Sequence, residues 1–231
     1  MNMRRLRKLV ATLLLSVMSF NIFADGTVVS PGQQATVTIA PNGVPIVNIN
    51  APNAGISVTT FQEFNVGANG EVINDADNTG RSFVAGLIPG NPNYGPNQAA
   101  QLIILQVNGS NRSTIEGYLE VLSRSKPNVI LSNENGITVN GGGTIGIANF
   151  TATTGKVNLV DGQYVGINTT DGSLIIGPKG FDGSTADYVH FIAKNIQQSG
   201  KVVSGAGLTY IAGANNVSSN GSVAALPSND T

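Results

Sequence analysis

The residues equipped for chemistry are few and scattered. The one histidine, His190, lies in Tyr188-Val189-His190-Phe191-Ile192, and the chain has no cysteine. A zinc site needs several nitrogen or sulfur ligands, which this inventory does not supply. A Ser-His-Asp triad would turn on His190, yet no nucleophile elbow accompanies it. Alternation instead puts its ring on one face of a strand. Asn74-Asp75-Ala76-Asp77-Asn78-Thr79-Gly80 falls short of a calcium loop: Thr79 stands where Asp or Asn is needed, and Gly86 where the closing Glu belongs. Gly155-Lys156 lacks the upstream glycine of a phosphate loop, since position 150 is Phe. The 13 acidic residues are dispersed, whereas a polysaccharide lyase or hydrolase needs them clustered on one face. The residues point away from an enzyme, and no catalytic group, metal or cofactor is expected.

What the residue types do offer is sharp turning. In Asn91-Pro92-Asn93-Tyr94 the proline fixes φ, and each asparagine side chain can bond nearby backbone to form an Asx-turn. Asn133-Glu134-Asn135-Gly136-Ile137 is a second such corner, with Gly136 free to adopt φ > 0. Around it, Val129-Ile130-Leu131, Ile137-Thr138-Val139 and Ile145-Gly146-Ile147 are short apolar runs separated by Asn-Gly and Gly-Gly corners, the pattern of consecutive turns of a stacked β-coil.

The elements that must position these corners are strands throughout. Ala35–Ile39 and Ile46–Ile49 alternate with period two around a Pro41-Asn42-Gly43 turn, and Ile56–Phe64 follows. Leu102–Val107 is apolar on both faces, as in a strand buried in a parallel stack, and Tyr118–Leu122 is similar. Helical turns are expected only around Gln98–Gln101 and Thr114–Tyr118, because no 3.6-residue period is sustained. Ile147-Ala148 followed by Gly155-Lys156-Val157 echoes Ile192-Ala193 followed by Gly200-Lys201-Val202. The 45-residue separation suggests two solenoid coils, with Ile211-Ala212 and Gly221 as a third copy. The fold class expected is all-β.

Residues 1–24 read as a signal peptide. Arg4, Arg5, Arg7 and Lys8 precede the apolar Leu9–Phe20, and Ala24 offers the small residue for cleavage before Asp25. The apolar run is shorter than the roughly 20 residues a membrane span needs. Without the leader, 8 basic residues face 13 acidic ones, so no basic patch remains and nucleic acid is not an expected partner. The absence of cysteine from an exported chain leaves the backbone ladder and packing to hold the fold. The domain is expected over 25–217. Residues 218–231 lose apolar density and read as a fraying end or linker to a missing passenger. The Asn-x-Ser/Thr sequons, among them Asn108, Asn111, Asn149, Asn168, Asn216 and Asn220, follow from composition.

Taken with this, the motifs resemble a known family. Gly90-Asn91-Pro92-Asn93-Tyr94 is similar to its Asn-Pro-Asn-Leu motif, and Asn133-Glu134-Asn135-Gly136-Ile137 to its Asn-Pro-Asn-Gly motif. Phe61-Gln62-Glu63-Phe64-Asn65-Val66, Leu119-Glu120-Val121, Val129-Ile130 and Thr153-Thr154-Gly155-Lys156 also fall where the family has similar text. The chain thus resembles the amino-terminal two-partner-secretion domain of filamentous haemagglutinins, haemolysins and contact-dependent growth-inhibition toxins. Tyr94 replaces the family's Leu and Glu134 its Pro. Val139-Asn140-Gly141-Gly142 stands where some members carry Cys-Asn-Gly-Cys.

The resemblance implies a right-handed parallel β-helix with an amino-terminal cap and small sheets outside the coil. It implies a secretion module of a Gram-negative exoprotein. The general secretory translocase and signal peptidase would handle the leader. A cognate outer-membrane barrel transporter would recognise the domain through periplasmic domains. At the cell surface the domain would start β-helix folding of a passenger, which in turn would engage a host or neighbouring-cell receptor. Asn91, Pro92, Asn93, Tyr94, Asn133, Asn135, Gly136 and Ile137 are the candidate transporter-recognition or structural residues. The competing expectation is a directly adhesive module that binds host glycan or protein.

Overall fold

The computed structural model describes residues 26–227. The expected leader and its Ala24–Asp25 cleavage point lie outside the described residues, as do 228–231. Every regular element among the described residues is a strand.

The chain winds through three parallel faces. A complete coil runs from Leu102–Val107 on the first face to Ser113–Ile115 on the second and Tyr118–Leu122 on the third. The next coil repeats this with Asn128–Asn133, Ile137–Val139 and Gly143–Ile145. Two further coils follow, through Asn149–Thr153, Ser173–Ile176 and Phe181–Gly183, then Tyr188–Ala193, Asn195–Gln198 and Val202–Ser204. Gly207–Ala212 adds a last rung to the first face. Each strand pairs in parallel with its equivalents in the coils above and below, which makes the architecture a parallel β-helix.

The core is built from in-register ladders. Ser57, Ile103, Val129, Phe150, Val189 and Leu208 form one inward column on the first face. Thr59, Leu105, Leu131, Ala152, Phe191 and Tyr210 form the next. Phe150 and Phe181 stack with ring centroids 5.5 Å apart, and Phe191 meets Phe181 edge-on at 6.0 Å. Burial of each such side chain stabilises by about 1.5–3 kcal/mol, and this replaces the disulfides that the chain lacks.

At the amino-terminal end, Val28–Val29 runs antiparallel to Ile56–Glu63. The hairpin of Thr36–Ile39 and Pro45–Asn48 joins the third face beside Glu71–Asn74. Two further sheets lie outside the coil. The hairpin Gly80–Ser82/Gly86–Ile88 packs on the outer side of the third face through Ala85 and Ile88 against Ile46 and Val72. A four-stranded antiparallel sheet of Lys156–Val160, Gln163–Thr169, Asn215–Ser218 and Val223–Ala225 covers the outer side of the first face. Val157, Ile167 and Val217 bury Ile104, Ile130 and Ile192 there.

Three local expectations come out differently. Thr114 lies inside a strand and Gln98–Gln101 is irregular, so neither forms a helical turn. The 45-residue echo is not a structural repeat. Ile192 stacks on Thr153, not on Ile147, and Lys156-Val157 opens an outer hairpin whereas Val202 lies on the third face. Excursions of unequal length leave the coil between rungs, so no constant sequence period survives. Ile192 and Ile211 are true register partners. Within 218–231, Val223–Ala225 is a paired strand.

Candidate functional site: two asparagine corners

The two motifs form the same local structure at different corners. Asn133 ends a first-face strand and is fully buried. Its Oδ1 accepts from the Asn135 backbone N–H at 3.0 Å, and its carbonyl accepts from the Gly136 N–H at 3.0 Å, closing the turn toward the second face. Its Nδ2 donates to the Asn111 carbonyl at 2.9 Å and to Ser113 Oγ at 3.0 Å in the preceding coil. Asn135 Nδ2 reaches the Gly109 carbonyl at 2.6 Å. One side chain therefore both shapes its own turn and ties it to the coil below.

Gly136 sits at φ +113°, and a Cβ there would come within 2.1 Å of Arg112 Nη1. Arg112 clamps the corner from outside, donating to the carbonyls of Ile137 and Ser173, each at 3.0 Å, and to Ser173 Oγ at 3.0 Å. Ile137 points into the core and is fully buried. Glu134 and Asn135 are exposed.

Asn91 follows the same plan after the third face. Its Oδ1 accepts from the Asn93 N–H at 3.0 Å and its carbonyl from the Tyr94 N–H at 3.1 Å. Its Nδ2 donates to the carbonyls of Ile49 at 2.9 Å and Asn74 at 2.8 Å, and Asn93 Nδ2 also reaches the Ile49 carbonyl at 3.0 Å. Pro92 is exposed at the turn, where its lack of an N–H costs nothing. Tyr94, in the place of the family's Leu, keeps its ring against the core. Its hydroxyl donates to Asp75 Oδ1 at 2.7 Å.

Asp75 is a hub that sequence reasoning passed over. It is fully buried and also accepts from the Ala100 N–H at 2.9 Å and from Ser123 Oγ at 2.6 Å. Burial pushes its carboxyl above the usual range, against the pull of these donors. Burial and the neighbouring Asp75 carboxylate push the Tyr94 phenol up, so it remains a donor. Asp77 pairs with Arg124 and accepts from the Asn97 N–H at 2.6 Å. The acidic stretch 74–80 therefore pins the excursion that carries Asn91–Tyr94 to the coil. The signal was present in the sequence as an acidic run next to the motif, but its partners are far away in the chain. Glu120 does the same for the hairpin, accepting from Ser82 Oγ at 2.8 Å and from the N–H groups of Phe83 at 2.8 Å and Val84 at 2.9 Å.

The structure does not bring the two corners together. Among the described residues they share no hydrogen-bond partner. His190 lies away from both, on the outer side of the first face, its ring parallel to Tyr188 with centroids 6.2 Å apart. Burial lowers its pKa, so the imidazole is neutral. It lines a groove of about 430 Å³ beneath the outer sheet, together with Asn149, Thr151, Tyr164 and Ile167. Among the described residues no three His, Cys, Asp or Glu side chains gather as a metal site.

Known proteins share this architecture. The chain is 40% identical over 208 residues to the "tRNA nuclease CdiA" of Escherichia coli O6:K15:H31, and 33% identical over 218 residues to "tRNA nuclease CdiA-2" of Burkholderia pseudomallei. The alignments cover 88% and 93% of this chain but only 6% and 7% of those proteins, so the nuclease in their names describes proteins of which this chain spans a small part. The crystal structure of a filamentous hemagglutinin secretion domain superimposes with a TM-score of 0.81 at 31% identity, covering 88% of this chain and 69% of that one. The model of the TPS secretion domain matches residues 21–230, and the chain belongs to that family.

Proposed function

We propose that the chain is the secretion module of a longer exoprotein of CdiA or filamentous-haemagglutinin type, exported through a dedicated outer-membrane transporter to the cell surface. The observation that carries this reading is the family match over 21–230. In this reading residues 1–24 are the leader taken by the general secretory translocase and cleaved between Ala24 and Asp25. The domain, 25–217, is then recognised by the transporter's periplasmic domains.

The β-helix supplies the next step. Among the described residues Gly207–Ala212 pairs with no strand but Tyr188–Ala193, and its other edge presents unpaired backbone groups, apart from the Ala212 carbonyl, which accepts from Asn215 Nδ2 at 3.0 Å. Leu208 and Tyr210 continue columns whose preceding rungs, Val189 and Phe191, are fully buried, yet they remain 37% and 39% exposed. A following coil would cover them, so chain emerging at the surface has a template ready. The test is a reporter passenger placed after residue 231 and co-expressed with the cognate transporter. Deletion of 25–217 is expected to abolish surface display, and undiminished display without it overturns the proposal.

Asn91, Pro92, Asn93, Tyr94, Asn133, Asn135, Gly136 and Ile137 act in this reading as corners that hold the coil. A second reading, direct contact with the transporter, is favoured by the exposure of Pro92, Glu134 and Asn135. Asn135→Ala separates them: normal folding with lost export assigns the corner to the transporter, and normal export confines it to the fold.

A further inference from the structure

Six Asn-Gly pairs occur, at Asn42, Asn69, Asn108, Asn135, Asn140 and Asn220. In such a pair the glycine nitrogen can attack the asparagine side-chain carbonyl, because glycine has no Cβ to obstruct the approach. A glycine N–H held in a hydrogen bond is fixed by its acceptor and is withdrawn from that attack. Five of the six are held so. Gly43 donates to the Ala40 carbonyl, Gly70 to Gly67, Gly136 to Asn133, Gly141 to Gly180 and Gly221 to Ser218, at 2.8–3.0 Å. The sixth, Gly109, donates to no group among the described residues.

Donors reach the Oδ1 of Asn42, Asn140 and Asn220, but their glycine N–H groups are held. Among the described residues, Asn108 alone of the six joins a polarised carbonyl to an unheld glycine N–H. It is exposed, at the corner between Leu102–Val107 and Ser113–Ile115, and Ser30 Oγ donates to its Oδ1 at 2.8 Å. That donor sits on the oxygen where negative charge develops when a nucleophile adds to Cγ, as in an oxyanion hole. Glycine at 109 is enforced by packing, since a Cβ there would lie 1.9 Å from the Gln62 carbonyl oxygen. The fold therefore demands the residue that makes the pair reactive, and supplies both a free nitrogen and a polarised carbonyl.

We infer that Asn108 is a self-modification site of the folded domain, with Ser30 as its electrophilic partner. The Gly109 nitrogen bonds to Asn108 Cγ, the Cγ–Nδ2 bond breaks, and the amide proton leaves with the departing ammonia. Water then opens the succinimide at either carbonyl, giving aspartate or isoaspartate. Isoaspartate adds a methylene to the main chain and shifts the side-chain oxygen away from Ser30. Ser30 is tied to the first face by its N–H to the Thr60 carbonyl at 3.0 Å, so the product loosens the amino-terminal cap against the first coil.

The test is peptide mapping by mass spectrometry, with isoaspartate detection, after incubation of the purified chain at mildly alkaline pH, native and in urea. In the native chain Asn108 is expected to convert many-fold faster than the other five. Ser30→Ala is expected to slow it several-fold, Ser30→Thr to restore the rate, and Asn108→Gln to abolish the product. In urea the six sites are expected to react on a comparable footing, with no effect of Ser30→Ala. The inference is overturned if another Asn-Gly site converts as fast as Asn108 in the native chain, or if Ser30→Ala leaves its native rate unchanged.

Discussion

Replacing Asn133 by alanine tests whether one buried carboxamide holds the coil. The side chain takes part in four hydrogen bonds: to the Asn111 carbonyl, to Ser113 Oγ, from the Asn135 N–H and from Asn135 Nδ2. Their net worth is about 1 kcal/mol apiece for the three shorter ones, and less for the last, at 3.3 Å. Truncation also strands buried Ser113, whose hydroxyl then lacks that partner. The expected loss is about 3 kcal/mol, which at about 2–4 °C per kcal/mol for a domain of this size lowers Tm by about 6–12 °C. Asn133→Asp keeps the acceptor for the Asn135 N–H but sets a carboxylate against the Asn111 carbonyl, so it is expected to lose nearly as much. Asn135→Ala, on an exposed side chain, is expected to lose about 1 kcal/mol. The assay is urea and thermal unfolding followed by far-ultraviolet circular dichroism. If Asn133→Ala lies within about 1 kcal/mol of wild type, the corner is held by its backbone turn alone and the argument fails.

Other consequences can be measured directly. Gly136→Ala meets both the positive φ and the Arg112 guanidinium, and is expected to cost about 2–4 kcal/mol, read as a drop in urea midpoint. Asp75 takes up its proton more readily folded than unfolded, so its contribution is fully present below pH 3.8 and declines as pH rises through its raised folded-state value. Wild type is accordingly expected to lose stability relative to Asp75→Asn over that rise, and a pH-independent gap between the two urea midpoints refutes it. Glu120→Gln weakens the hold on the Phe83 and Val84 N–H groups, and trypsin is expected to cleave faster after exposed Arg81 while the coil survives. Unchanged cleavage would show that the apolar contacts of Ala85 and Ile88 suffice to dock the hairpin.

The sequence by itself determined the local grammar. Runs such as Leu102–Val107 and Ile137–Val139 had to be strands, and Asn133–Gly136 had to turn, because φ/ψ preferences and alternation act over a few residues. The order of the Asn motifs then led to the family. What only the tertiary structure decided is which rung each strand occupies and what each polar side chain reaches. The Asn91 carboxamide meets carbonyls 42 and 17 positions away, and Glu120 captures a hairpin that starts nearly 40 residues upstream, with Ser82 at a separation of 38. These partners depend on coil register, and register depends on how much chain leaves the coil between rungs. The excursions at 75–101 and 156–169 differ in length, so a real stack looked aperiodic and a chance 45-residue echo looked like a repeat. Asp75 was hidden for the same reason. An acidic run reads as solvated until Tyr94, Ala100 and Ser123 are brought around it, and only the folded coil brings them there.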